Sequence, residues 1–255
     1  MIYETPSIAI TRSKEKLYSL GQKVNQEDWQ SIKSPDDTYE LLHHSIAFKI
    51  PNKISKLVKE VNPNLPWAMD QFIERVSGQP LNPGNTYMDW PFYKKTSYSD
   101  SIHRKQEKFS HTYMERFWPK KANLENSERE VNFGVRYHLG DYDDLINLLK
   151  KYPTTRQAYL PIFFPEDTGT HHGERIPCTI GYDFIIRNNF LHISYYMRSC
   201  DAIRHFRDDI FMACLLVFDI ISKVNKNLTP GVFNMYIKSF HVFNNEKELL
   251  KYNKT

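Results

Sequence analysis

Thr179-Ile-Gly-Tyr-Asp-Phe-Ile-Ile-Arg187, Asn188-Asn189 and Phe190-Leu-His-Ile-Ser-Tyr-Tyr-Met197 read as two strands and the turn between them, and Arg198-Ser-Cys-Asp201 as the place where a strand ends and a helix opens. Both arms are rich in Ile, Tyr and Phe, which suit a pleated, half-buried surface, and asparagine tolerates the positive φ of a tight hairpin turn. Strands are expected over Thr179 to Arg187 and Phe190 to Met197. Asp201 then caps a helix in which Ile203, Phe206, Ile210, Ala213, Val217, Ile220 and Val224 recur every three or four residues. That period lays one apolar stripe against a core. Pro230-Gly231 reads as a turn, and Val232 to Val242 as a further strand pair or extended segment.

Working back toward the N-terminus, the apolar pattern from Tyr39 to Val61 is broken by Pro51, which predicts a short strand or helix and then a second helix. A helix follows from Ala68 to Val76, stopped by Gly78 and Pro80, and Asp141 is placed to cap another from Tyr142 to Lys151. Between Gln79 and Glu130, four prolines and many aromatics predict a loop-rich insertion at about 79–130, either a functional lid or a surface decoration.

The chain has 255 residues, 40% of them apolar and 25% charged, which predicts one globular domain over residues 1–255. Its apolar runs are much shorter than the roughly 20 residues of a membrane span, and Asp219 interrupts the run Phe211 to Ile221. The start Met1-Ile2-Tyr3-Glu4 lacks the basic and apolar regions of a signal peptide, so a cytoplasmic protein that uses no membrane is expected. Three cysteines without a CxxC pair suit neither a disulfide framework nor a zinc site, so free thiols and no metal are expected. With 34 Lys and Arg against 30 Asp and Glu, the formal charge of +4 suits a small anionic ligand and gives little reason to expect nucleic acid.

Three places can carry chemistry. Cys178 enters the first hairpin strand after Pro177, where a thiol can face a cleft as a nucleophile; a buried apolar thiol is the other reading. Arg198-Ser199-Cys200-Asp201 brings a guanidinium, a hydroxyl and free helix amides together, as a phosphate monoester requires; a cap with a surface ion pair is the alternative. Arg156, after Thr154-Thr155, is a second phosphate ligand or a solvated charge.

The run Ile176-Pro177-Cys178-Thr179, the hairpin, Tyr196-Met197-Arg198-Ser199-Cys200-Asp201 and Phe206-Arg207-Asp208-Asp209 resembles the thymidylate synthase superfamily, and within it the viral deoxycytidylate hydroxymethylases. Asn132-Phe133-Gly134, Thr154-Thr155-Arg156-Gln157 and Ser239-Phe240-His241-Val242-Phe243 extend the likeness over about residues 132 to 245. The resemblance implies an α/β (α+β) three-layer fold whose mixed sheet forms a dimer interface.

It also implies a reaction: Cys178 adds to C6 of a deoxypyrimidine nucleoside monophosphate, and C5 then takes a one-carbon unit from 5,10-methylenetetrahydrofolate. Arg198 and Ser199 would hold the 5′-phosphate with Asp201 beside them, His241 would contact the ribose, and Arg156 would reach the neighbouring subunit's site in a homodimer. Trp90 would wall the folate side, and the general base would be Asp70 or Glu74, one turn apart on the same helix face. Thr179 stands where the synthases usually have histidine, as in the hydroxymethylases. Asp209 stands where they have asparagine, and a carboxyl there favours cytosine. Asp208 is adjacent, so the helical register decides which of the two faces the base; Arg204 with Asp208, and His205 with Asp209, are surface pairs in the competing reading. Phe133, Phe243 and Gln157 depart from the family pattern, losing two hydroxyls and a charge. The implied activity is dCMP hydroxymethylation, with dUMP hydroxymethylation, thymidylate synthesis or silent nucleotide binding as alternatives, and a phage source would fit.

Overall fold

The computed structural model describes residues 2–25, 28–29, 32–33, 37–92, 104–105, 108–109, 111–125, 140–168 and 176–251. Its strands are β1 (Gln22–Val24), β2 (Asp28–Trp29), β3 (Ile32–Lys33), β4 (Thr38–Lys49), β5 (Arg104–Lys105), β6 (Lys108–Phe109), β7 (Ala158–Pro161), β8 (Thr179–Arg187), β9 (Phe190–Asp201) and β10 (Thr229–Phe243). The helices are α1 (Pro6–Leu20), α2 (Ile54–Val61), α3 (Trp67–Val76), α4 (Tyr113–Phe117), α5 (Pro119–Glu125), α6 (Tyr142–Lys151) and α7 (Phe206–Val224).

Six strands form one mixed sheet in the order β1-β4-β10-β9-β8-β7. All neighbours are antiparallel except β9 and β10, which run parallel because α7 carries the chain back between them. The hairpin turn sits at Asn188-Asn189 with φ of 50° and 62°, the left-handed values that asparagine accepts most readily after glycine. One face of the sheet is apolar and buried: Phe48, Tyr182, Phe184, Ile193, Tyr195, Phe233, Met235, Ile237 and Phe240 all point inward. Tyr196, Tyr236, Ser194 and Asn234 alternate with them and remain partly exposed on the other face.

α7 lies across the buried face. Phe206, Ile210 to Val217 and Ile220 are buried almost all round the helix, because β9 and β10 cover one side and α2, α3 and α6 the other. Sheet, central helix and outer helices make three layers around one core, and each large side chain buried there contributes about 2 kcal/mol.

Several expectations are refined. Tyr39 to Val61 resolves into β4 and α2, α6 is capped by an Asp141–Asp144 capping box, and Val232 to Val242 is a single strand. Pro230-Gly231 lies inside that strand, at a register shift against β9, instead of in a free turn. α7 starts at Phe206 and not at Asp201: β9 runs on to Asp201, whose carboxylate accepts from the amides of Ile203 and Arg204 and so closes a turn ahead of the helix. Within 79–130, Thr112 and Glu115 cap each other's backbone and open α4. The Asn132-Phe133-Gly134 segment lies outside the described residues. No described helix is long and apolar enough to cross a membrane.

Candidate active site

Cys178 is half-buried on the segment that leads into β8, and Arg198 of β9 holds it there. The Arg198 amide donates to the Cys178 carbonyl at 2.9 Å. Its guanidinium folds back to donate to the carbonyls of Pro177 and Ile176, both at 2.9 Å, and Nη2 lies 3.9 Å from the Cys178 sulfur. One arginine thus fixes three consecutive residues and puts a permanent positive charge beside the thiol. A register shift between Thr179 and Gly181 lies next to the cysteine, as bulges often do at sites where one side chain must be re-aimed.

Behind the cysteine runs a buried chain of hydroxyls. Thr179 Oγ1 lies 3.1 Å from the Tyr113 hydroxyl and 2.8 Å from that of Tyr195. Tyr182 stacks on Tyr195 at 4.6 Å between ring centroids. Burial keeps the phenols of Tyr113, Tyr182 and Tyr195 protonated well past neutral pH, so the chain is a set of neutral donors and acceptors. Arg75 of α3 lies over Tyr113, its Cζ 4.3 Å from the ring centre.

The first turn of α7 resolves the Asp208 and Asp209 register. Asp208, 1% exposed, accepts from the Asn64 amide at 2.8 Å and from Asn64 Nδ2 at 2.7 Å, and so anchors the loop before α3. Asp209 turns the other way, toward β9, where Cys200 Sγ donates to it at 3.8 Å. Neither carboxylate forms the surface pair that the spacing allows: Arg204 binds Glu246 at 2.9 Å, and His205 stacks on Trp90. The helix rotates about 100° between successive residues, so two adjacent aspartates cannot share a face. Burial pushes the Asp209 carboxyl up to about 7, with the neighbouring Asp208 and Asp201 adding to the rise, while Arg75 and the Cys200 bond oppose it.

The parallel register of β9 and β10 pairs Ser199 with Ser239 and Asp201 with His241, and Ser199 Oγ comes within 3.4 Å of His241 Nδ1. Ser199 and His241 therefore sit side by side next to Arg198. Asp201 is only 6% exposed, and its Oδ1 is spent on two backbone amides. Arg156 is elsewhere: with Tyr152, Thr154, Thr155, Gln157 and Arg187 it lines an open depression of about 710 Å³. Arg187 is the far end of β8, about 26 Å along the strand from Thr179 at the usual rise per residue.

On α3, Glu74 is buried and committed: it accepts from the Asn85 amide at 2.7 Å and from Thr86 Oγ1 at 3.0 Å. Asp70, one turn earlier, is half-buried and makes no side-chain hydrogen bond among the described residues. Trp90 stacks on His205 at 4.6 Å and 13°, with Trp67 and Phe92 nearby, and its buried Nε1 has no partner among the described residues.

The structure thus gathers Cys178, Arg198, Ser199, His241 and Asp209 at one end of β8, β9 and β10, and it leaves Arg156 apart. It also adds Arg75, Tyr113 and Tyr195, which the sequence reading passed over. For Tyr113 the signal was the Thr112-x-x-Glu115 capping box; for Arg75 it was a cation on the same stripe as Ala68 and Phe72. Among the described residues no group of His, Cys, Asp and Glu is arranged to hold a metal.

No curated protein matches the chain. Among solved structures it is similar to thermostable thymidylate synthase A from Bacillus subtilis, with a TM-score of 0.66 and 16% identity, over 97% of this chain and 83% of that one. That likeness shows the fold. The sequence profile of thymidylate synthase matches residues 94–254, and the chain accordingly belongs to the thymidylate synthase family, whose fold supports one-carbon transfer to a deoxypyrimidine monophosphate.

Proposed function

We propose that this chain is a pyrimidine nucleotide hydroxymethylase, carrying a one-carbon unit from 5,10-methylenetetrahydrofolate to C5 of dCMP and adding water to give 5-hydroxymethyl-dCMP. The observation that carries this reading is Asp209, a carboxyl buried at the site and half-protonated near neutral pH. With one proton shared between the carboxyl and N3 of cytosine, its two oxygens accept from N3–H and from the 4-amino group, whereas uracil offers N3–H but an acceptor at O4 and so fills only one of them. A site built on such hydrogen bonds rejects the wrong base by up to about 10⁴-fold.

Cys178 attacks C6 as the nucleophile. Arg198 steadies its backbone and, with Ser199, binds the 5′-phosphate, while His241 contacts the ribose. Asp201 shapes the turn that carries these groups. The folate, when bound, supplies the one-carbon unit at C5. The residues present fit it: Trp90 offers a flat aromatic wall and one unspent buried N–H donor. Of the two α3 carboxylates, Asp70 is the uncommitted one and serves as general base, while Glu74 secures the loop at Thr86. Thr179, fully buried and joined to Tyr113 and Tyr195, backs the cysteine with neutral hydroxyls where the synthases usually have histidine.

The chain works as a homodimer packed through the open face of its sheet. The position of Arg156 supports this: it lies beside Arg187 at the far end of β8, away from Cys178 of its own chain, and suits a phosphate in a neighbour's site. The enzyme acts in the cytoplasm, that of a host cell if the source is a virus.

Tritium release from C5-labelled dCMP and dUMP with methylenetetrahydrofolate, with product masses, tests the proposal. Release from dCMP with a hydroxymethyl product is expected. Release from dUMP alone overturns the choice of base, a methyl product overturns hydroxymethylation, and release from neither leaves a nucleotide-binding homologue.

A further inference from the structure

Arg75 lies inside the site yet belongs to none of the roles above. It is 6% exposed, and its Nε has no hydrogen-bond partner among the described residues. The contact its guanidinium does make is with the face of the Tyr113 ring, 4.3 Å away. Tyr113 reaches Thr179, the residue after the nucleophile, at 3.1 Å. Arg75 is also close enough to Asp209 and Tyr182 for its charge to act on both. No hydrogen bond or ion pair joins Arg75 to Asp209 among the described residues, so a strong donor and a carboxyl stand near each other without touching.

A buried Nε–H without an acceptor is costly, and the contact of the guanidinium with a ring face does not satisfy it. An acceptor supplied by a ligand does. Given the reading under Proposed function, on which this inference rests, that ligand is the pyrimidine ring. We propose that Arg75 is a catalytic residue that touches the ring edge faced by Asp209 and stabilises the negative charge that collects there when Cys178 adds to C6. In that step the S–C6 bond forms and the C5=C6 π bond breaks. Its electron pair spreads from C5 through C4 to N3 and O2 of cytosine, or to O4 of uracil. The charge is absent from the free nucleotide, so a fixed cation beside it favours the adduct more than the ground state, which is the condition for raising kcat without tightening binding.

Arg75→Gln and Arg75→Lys test this, with nucleotide affinity measured by calorimetry beside the rate of C5 tritium release. R75Q is expected to lose about 100-fold in kcat while the Kd for dCMP stays within about threefold, and R75K to lose only about tenfold. A purely structural arginine would instead lose both, or neither, together. R75Q turning over within about threefold of the parent overturns the proposal, as does a loss of binding that matches the loss of rate. If R75Q does not fold, R75K decides: an undiminished kcat there refutes a contact that needs the guanidinium. If the parent enzyme releases tritium from neither nucleotide, the functional reading falls and Arg75 loses its role with it. Release from dUMP alone changes the base and leaves the Arg75 comparison to be read on dUMP.

Discussion

Replacing Asp209 by asparagine keeps the shape of the side chain and removes its titration. In the folded chain its carboxyl is raised to about 7, chiefly by burial, whereas an unfolded aspartate titrates near about 3.9. Between those values the folded protein keeps a proton that the unfolded chain gives up. Stability therefore falls as pH rises through that window and levels off above it, the reverse of a salt-bridged aspartate. At roughly 1.4 kcal/mol per unit, the parent should lose about 2.5 kcal/mol more than D209N between pH 5 and pH 8. Urea denaturation of both proteins at the two pH values, followed by tryptophan fluorescence, measures the double difference, and other titrating groups cancel in it. A difference between parent and variant that stays constant within about 0.5 kcal/mol would mean that the Asp209 carboxyl is ionised and solvated, and the protonated base-reading role would go with it.

Three other substitutions separate chemistry from framework. Cys178→Ser is expected to abolish tritium release while dCMP binding remains measurable by calorimetry; turnover that survives removes the cysteine from the reaction. Asp208→Ala strands both Asn64 donors and should cost about 3 kcal/mol in urea denaturation with the dCMP to dUMP ratio of kcat/KM unchanged, so an altered ratio would reopen the helical register. Arg198→Lys cannot span the carbonyls of Ile176 and Pro177, and kcat/KM should fall by roughly 100-fold through both KM and kcat; a change in KM alone would limit Arg198 to the phosphate.

The parts of the fold that were legible in sequence are those specified by neighbours in the chain. The Asn188-Asn189 turn and the helical period from Phe206 on need only local sterics and spacing, and both stand where the pattern puts them; Ile203 falls in the turn before α7, and the helix is buried almost all round instead of along one stripe. Thr5, whose Oγ1 accepts from the Ile8 amide, with Pro6 behind it, was an equally local start signal for α1. Asp208 and Asp209 show the opposite case. Which of them turns inward is settled by Asn64, 144 residues away, and no spacing within the helix reports that partner. In sequence Glu74 reads as a candidate base, and only the fold of the 84–86 loop onto it reveals an anchor. Arg75 was hidden because an arginine at a stripe position reads as a snorkelling surface group until α4 closes over it.

The middle of the sheet is assembled from strands far apart in the chain: β10 fits between β4, whose first residue is Thr38, and β9, which ends at Asp201. A ribosome makes these strands in order, so β4 and β9 both wait with open edges until residues 229–243 emerge. During that interval the nascent chain carries two separate ladders, each able to pair with another copy emerging alongside it. Ser199 and His241 stand on opposite sides of the last seam to close, so no shorter nascent chain has the proposed nucleotide site. Ligand-dependent protection of arrested chains should first appear only after β10 has cleared the exit tunnel.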